Sequence, residues 1–252
     1  MIPLGAEAID AVLAWGDGLH RTVALHHAAI HGRPGLWGDD RARPSSVVWL
    51  RPGDGCWEAF AAGFAGPALD WLGRAATGRP IVLAAPTSWE EVVRARLGAT
   101  ARVSQDFVQT WLRPEPPPAP AASADVRPLD EGDAAAFAAV APPWALRAWG
   151  DFDALLERGA AFGVPGRSGL AAAAWVVESD HHLDKVGVAT DPRYRRLGLG
   201  RAAAASLADW IERGRGKHPL WVANPSNAAS LATARSLGFT LQVTETLLRW
   251  RP

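Results

Sequence analysis

The sequence predicts an α/β chain made of two similar halves, and three observations carry that expectation. The first is the run 184–211. Val186, Val188 and Thr190 alternate as in a strand, Asp191-Pro192 stops it because proline offers no N–H to a ladder, and an alanine-rich segment follows. In that segment Leu199, Ala203, Leu207, Trp210 and Ile211 recur at helical spacing. The second is that the order strand, strand, helix, strand, helix, strand occurs twice. The third is the proline-rich stretch 114–124, an extended linker. The expected organisation is therefore an N-terminal half at 1–116, a linker at 117–124 and a C-terminal half at 125–252.

Taken in order, residues 3–31 read as one or two helices with Leu13, Leu19, Val23 and Leu25 among the apolar positions. His27 and His31, four apart, share a helix face; with no carboxylate or cysteine completing a ligand set, they read as structural rather than metal-binding. Residues 32–44 are turn-rich. Strands are expected at 46–50 and 56–61 around Arg-Pro-Gly-Asp-Gly, then a helix at 66–77, a strand at 81–84, a helix at 88–97 and a strand at 101–112. In the second half a short strand at 125–130 precedes helices at 131–140 and 143–158, which carry Trp144, Trp149 and Phe152. Strands follow at 162–165, 170–178 and 183–190, then the helix from 199, a strand at 220–223, a helix from Asn227 and a last strand ending at Trp250.

The two halves also align in sequence. Pro80-Ile-Val-Leu-Ala84-Ala-Pro86 matches Pro219-Leu-Trp-Val-Ala223-Asn-Pro225, and Arg96-Leu97-Gly98 matches Arg235-Ser-Leu237-Gly238 with one inserted residue. Both copies end in a tryptophan strand and Arg-Pro, at Trp111 and at Trp250.

The turn after 190 is where chemistry concentrates. The first amides of a helix have no internal partner and sit at the positive end of its dipole. Gly198 and Gly200 let backbone approach a polyanion, and Arg195, Arg196 and Arg201 add formal charge. The run Val188-x-Thr190-x-Pro192-x-Tyr-Arg195-Arg196-x-Gly198-x-Gly200 resembles the acetyl-coenzyme A signature of the GNAT acetyltransferases, as does Asn227-Ala-Ala-Ser230 followed by Leu237-Gly238-Phe239. The resemblance implies a mixed, mostly antiparallel sheet with a splayed central parallel pair, flanked by helices, in a tandem of two such halves. It also implies transfer of acetyl from acetyl-coenzyme A to an amine acceptor, small-molecule or peptide, with no metal.

By the same resemblance, the cofactor site comprises Val188, Ala189, Thr190, Arg195, Arg196, Leu197, Gly198, Leu199, Gly200, Arg201, Asn227 and Ser230. The Val188 N–H would face the oxyanion. Asp184 stands where many members carry a basic glutamate, and it shares strand parity with Val188 and Thr190. Glu178, His181 and His182 are rivals for the base. The family's usual acid, a tyrosine seven residues after the helix asparagine, is here Ala234; Ser230, on the same helix face, is the alternative donor. This departure leaves a second reading open, a non-catalytic acyl-coenzyme A binding module. In the first half Gly63-Phe-Ala-Gly66-Pro67 replaces the arginine-bearing turn, so that half is not expected to bind coenzyme A in the same way. The length of the acyl group is not written in these motifs.

Composition narrows the rest. With 26 basic and 26 acidic residues the chain has no global field to recruit nucleic acid or an anionic membrane. The single cysteine, Cys56, fits a reducing compartment and reads as a small buried hydrophobe. No run reaches the ~18 apolar residues of a spanning helix. A cytoplasmic protein, monomer or homodimer, is expected.

Overall fold

The computed structural model describes residues 1–5, 8–13, 19–75, 78–97, 104–114 and 125–250. The expected linker, 117–124, lies outside the described residues, as do Gly98 and the final Arg-Pro of the repeat. The chain divides into two compact units: Met1–Thr110 with Val243–Pro252, and Trp111–Gln242.

The first unit runs β1 (Ile2–Pro3), α1 (Ile9–Leu13), α2 (Leu19–Ile30), β2 (Leu36–Gly38), β3 (Ser46–Pro52), β4 (Trp57–Gly63), α3 (Ala65–Ala75), β5 (Ile81–Ala84), α4 (Trp89–Leu97) and β6 (Ser104–Leu112). β1 to β4 form an antiparallel meander, and β4 and β5 are parallel from Trp57↔Ile81 to Phe60↔Ala84. The turn at 51–55 forms as expected, with the Gly53 N–H donating to the Cys56 carbonyl at 2.8 Å and Gly55 at φ 68°. The 32–44 stretch contains one short strand, β2. Cys56 is buried. His27 is buried, with its ring 4.6 Å from that of His31 and 6.1 Å from Trp49, a packing role.

The second half of the chain runs β7 (Arg127–Pro128), a short 3-10 turn (Glu131–Asp133), α5 (Ala134–Val140), α6 (Phe152–Arg158), β8 (Ala161–Gly166), β9 (Gly169–Ser179), β10 (Leu183–Thr190), a second 3-10 turn (Pro192–Tyr194), α7 (Leu199–Arg215), β11 (His218–Ala223), α8 (Ala228–Ser236) and β12 (Thr240–Trp250), whose residues from Val243 on belong to the first unit. β7, β8, β9 and β10 are antiparallel neighbours, and β10 and β11 are parallel. The helix expected over 143–158 is broken. Residues 141–150 form successive turns, because Gly150 adopts φ 101° and Asp151 caps a new helix through its side chain on the Ala154 N–H at 2.8 Å. The strand expected at 125–130 shrinks to two residues, since Asp130 instead caps the turn that follows.

Alanine sets how closely the layers approach. Ala171 to Ala174 in β9 and Ala203, Ala204, Ala205 and Ala208 in α7 are all buried, so the helix lies tight on the sheet. Trp175, Phe137, Phe152 and Trp149 fill the opposite face under α5 and α6.

The repeat has an outcome that the alignment does not show: each unit is completed by the terminal segment of the other half. Leu247–Trp250 of β12 pair antiparallel with Ala84–Ile81 of β5, and Leu248 and Trp250 are buried with Ile81, Leu83 and Trp89. Glu245 binds the first unit twice more, accepting from the His20 N–H and the Thr110 hydroxyl, each at 2.9 Å. Conversely, Trp111 joins the core of the second unit with Trp221, Leu237 and Phe239. Arg113, wholly buried, is held there by Glu212 and Asp209 of α7 at 2.6 and 2.8 Å.

Candidate active site

The site begins with an unequal pairing of β10. On one side β9 follows it to its end, from Asp184↔Ser179 to Thr190↔Ala172. On the other, the β11 ladder stops at Val186↔Trp221. Residues 187–190 thus have one strand neighbour and one open edge. The Asp191 N–H donates to the Ala171 carbonyl at 2.9 Å. In an antiparallel ladder bonded pairs alternate, so Ala189 and Gly187 turn their backbone groups to β9, while Val188 and Thr190 turn theirs to the open edge. Two N–H and two C=O groups are therefore arrayed for an extended, amide-bearing ligand.

That edge leads into the turn 191–198. Asp191 caps it, accepting from the Arg193 N–H, and pairs with the Arg193 guanidinium at 2.7 Å; this hydrogen bonding holds the Asp191 carboxyl below its ordinary range. Arg196 adopts the left-handed region at φ 63° and Gly198 does so at 77°. Gly198 is the N-cap of α7 without a side-chain cap, so the amides of Leu199, Gly200 and Arg201 have no partner within the helix and lie at the positive end of its 17 residues. Arg195, Arg196 and Arg201 are exposed, and among the described residues their side chains make no ion pair or hydrogen bond. The two glycines divide the work. A Cβ at Gly198 would meet nothing within 4 Å, which leaves room for a ligand; one at Gly200 would lie 2.4 Å from Thr190 Oγ1, so Gly200 seats the helix on the strand.

This arrangement is matched among known proteins. The model of the FR47-like protein family fits residues 162–248. A GCN5-related N-acetyltransferase-like protein from Streptococcus suis superposes with a TM-score of 0.62 at 21% identity, over 86% of this chain and 88% of that one. The second half has the GNAT fold. The GNAT fold extends through the whole chain: a tandem GNAT protein from the clavulanic acid biosynthesis pathway superposes over 97% of this chain and 93% of its own, with a TM-score of 0.62 and 14% identity. The [Ribosomal protein bS18]-alanine N-acetyltransferase of Escherichia coli is 49% identical over 53 residues, 21% of this chain and 35% of that protein. The chain thus matches about a third of the length of that curated relative.

Within the GNAT domain the other candidates are not gathered at the open edge. Asp184 does share a face with Val188 and Thr190, but α7 covers that face. Asp184 is 0% exposed. Its Oδ1 accepts from Ser179 Oγ at 2.6 Å and faces Lys217 Nζ at 3.4 Å, and its Oδ2 lies 3.0 Å from Arg215 Nε in an ion pair without hydrogen-bond alignment. It sits four residues before Val188, roughly 13 Å along the strand. Glu178 is equally buried, and Lys185 Nζ lies 3.1 Å from its Oε2. His181 and His182 are exposed in the turn before β10, whose amides Asp180 caps.

At the start of α8, Asn227 is the N-cap, its Oδ1 accepting the Ser230 N–H at 3.1 Å. Ser230 Oγ accepts from Trp221 Nε1 at 3.0 Å, which leaves its own hydrogen available to donate. Ala234 is wholly buried in the core. The chain's one tyrosine, Tyr194, instead accepts the Arg167 N–H at 3.0 Å and ties the turn to the β8–β9 hairpin.

Sequence reasoning missed Gly187 and Trp175. They are cross-strand partners, and a Cβ at Gly187 would lie 2.6 Å from the Trp175 ring. A glycine inside an otherwise β-branched strand was the available signal. Among the described residues no cluster of three or more histidine, cysteine or acidic side chains is placed to hold a metal ion, and no helix is long and apolar enough to cross a membrane.

The corresponding turn in the first unit is built differently. Only Phe64 separates Gly63 of β4 from α3, and the Gly63 and Phe64 carbonyls accept from Trp89 Nε1 and Ser46 Oγ at 2.8 and 2.7 Å. Arg96 is engaged with Asp70 and the Gly66 carbonyl.

Proposed function

We propose that the GNAT domain is an acetyl-coenzyme A dependent N-acetyltransferase, which passes the acetyl group to an amine by direct attack in a ternary complex. The observation that carries this is the continuity of the open edge at Val188 and Thr190 with an uncapped helix start beside three unpaired arginines. The thioester supplies an activated acyl group: the amine N–C bond forms as the C–S bond breaks and the thiolate leaves, while the proton lost by the amine nitrogen passes through solvent to the thiolate, so that the products are an amide and the free thiol. The fit rests on this chain's own groups. The amides of Leu197, Gly198, Leu199, Gly200 and Arg201 with Arg195, Arg196 and Arg201 hold the pyrophosphate. Val188, Ala189 and Thr190 form the strand against which the pantetheine amides pair. Asn227 offers its side-chain N–H₂ to the same arm, and the Val188 N–H faces the acyl oxygen.

Of the three groups proposed for proton handling, Ser230 has a hydroxyl hydrogen free to donate to the departing sulfur. Asp184 and Glu178, locked by cations, act in this reading by fixing the far end of β10. A thiol ionises near pH ~8.5 and leaves without a strong acid. The acceptor class is a small-molecule or peptide amine. The curated relative is named for an alanine of a ribosomal protein, which makes a peptide with N-terminal alanine one rational probe.

A specific observation favours a second reading. Ala234 is sealed in the core and both carboxylates are engaged, as expected of an acyl-coenzyme A binder that has lost turnover. Titration calorimetry with coenzyme A, followed by thiol release from acetyl-coenzyme A across an amine panel, separates them. Acceptor-dependent thiol establishes the transferase; saturable binding with none establishes the binder. An Arg195→Ala/Arg196→Ala variant that binds like the parent refutes both.

A further inference from the structure

We infer that the indole N–H of Trp175 donates a hydrogen bond to the acyl oxygen of the bound thioester, beside the Val188 amide, and that Trp144 is the side chain covering this donor. The inference rests on the acyl-coenzyme A reading above and assigns a positioning group to that site.

Trp175 is 0% exposed and its Nε1 has no hydrogen-bond partner. A buried N–H left unmade costs about 1–3 kcal/mol, so such a group calls for a reason. The neighbouring Trp149 shows the usual solution, its Nε1 donating to the Val176 carbonyl at 2.7 Å. Trp111 and Trp250 also carry unpartnered indoles, but these close the two cores far along the chain from the open edge. Trp175 alone of the three stands on the site.

Its placement is specific. Trp175 lies directly across from Gly187, on the face of the sheet away from α7. Its Cε2, the ring carbon bonded to Nε1, is 2.6 Å from where a Cβ on Gly187 would stand, and Cζ2 is 2.7 Å away. The indole therefore lies over the central strand at Gly187, one residue past the last β11 pairing at Val186. The Val188 N–H turns into the open edge from the peptide that follows Gly187. A side-chain donor on β9 and a backbone donor on β10 thus stand on either side of Gly187, next to the point where β10 and β11 part; donors so placed can stabilise negative charge developing on an acyl oxygen. Only glycine at 187 permits this approach.

Phe137 meets the Trp175 ring edge-on at 5.4 Å, and Trp144 lies at 5.8 Å. Trp144 is 38% exposed, a large apolar side chain in the turn-held segment 141–150 between Pro142-Pro143 and Gly150. It shields the indole without contributing a hydrogen-bond acceptor of its own.

The test follows the indole ¹H–¹⁵N resonance of Trp175 in the full chain titrated with coenzyme A and with acetyl-coenzyme A. The expected result is a downfield move with acetyl-coenzyme A that coenzyme A does not produce. In Trp175→Phe, the carbonyl band of ¹³C-acetyl-coenzyme A should rise in wavenumber and the preference for the acetylated form should fall about 2- to 10-fold, with coenzyme A affinity unchanged. A resonance that responds equally to both ligands, or to neither while both bind, overturns the inference and leaves the coenzyme A reading standing. Failure of either ligand to bind overturns both. If Trp175→Phe does not fold, the wild-type resonance decides the matter alone.

Discussion

Replacing Gly200 by alanine tests whether α7 reaches its position only by resting on the end of β10. The new Cβ would lie 2.4 Å from Thr190 Oγ1 and 3.4 Å from Val188 Cγ2. Favourable heavy-atom contact begins near 3.5 Å, so the first overlap exceeds about 1 Å and either Thr190 turns or the helix start lifts. Overpacking of this kind costs roughly 1–3 kcal/mol. At about 2–4 °C per kcal/mol for 150–250 residues, melting should fall by roughly 2–12 °C. A lifted first turn also carries the amides of 199–201 away from the phosphates. Loss of one charged hydrogen bond, about 1.5–3 kcal/mol, weakens coenzyme A binding about 10- to 150-fold. Thr190→Ala in the same chain removes the 2.4 Å contact and should restore both quantities in large part. Gly198→Ala is the contrast: open space surrounds it, so only its left-handed backbone is penalised, by about 1–2 kcal/mol. Thermal melting with calorimetric titration measures both. The reasoning is refuted if Gly200→Ala melts and binds like the parent, or if Thr190→Ala fails to rescue it.

Asp184→Asn should cost about 3 kcal/mol in urea unfolding, because Arg215 and Lys217 lose their buried counter-charge, while coenzyme A affinity persists in the folded protein. Parental stability with loss of acetyl transfer alone would instead make Asp184 the base. Trp250→Ala and Trp111→Ala, each worth about 3–5 kcal/mol, should unfold opposite units: the first unit for Trp250 and the second for Trp111, read by hydrogen exchange of β3–β4 against β9–β10. Acid should act on the β7 corner. The Arg127 guanidinium, bonded through two contacts of 2.6 Å, holds the Asp133 carboxyl below its ordinary range. A depressed folded value gives stability that is present above the unfolded value of ~3.9 and lost as pH falls through the folded one. Unfolding between about pH 5 and pH 2 should show this slope diminished in Asp133→Asn; an unchanged slope excludes the pair as its source.

Much of the geometry of the candidate site was legible because its determinants are local. Proline after Asp191, glycine at 198 and 200, and the alanine-rich run specify strand, left-handed turn and uncapped helix within twenty residues. Asn227 likewise declared itself as an N-cap. Asp184 shows where such reading stops. Strand parity placed it on the correct face, but what covers that face is the far end of α7, where Arg215, with Lys217 just beyond the helix, pairs with the buried carboxylate. The 143–158 helix failed for a local reason read too lightly, since Gly150-Asp151 is both a breaker and a new cap.

The chain alone determined its two-fold pattern, its helix starts and its left-handed, glycine-bearing turn, since backbone sterics and neighbouring side chains decide these within a few residues. Only the tertiary structure decided which half receives which terminal strand, because Trp111 and Trp250 have similar local preferences and differ in the cores that enclose them. It also decided that Trp175 lies across Gly187 with its N–H unspent, a consequence of strand pairing that no single stretch of sequence contains.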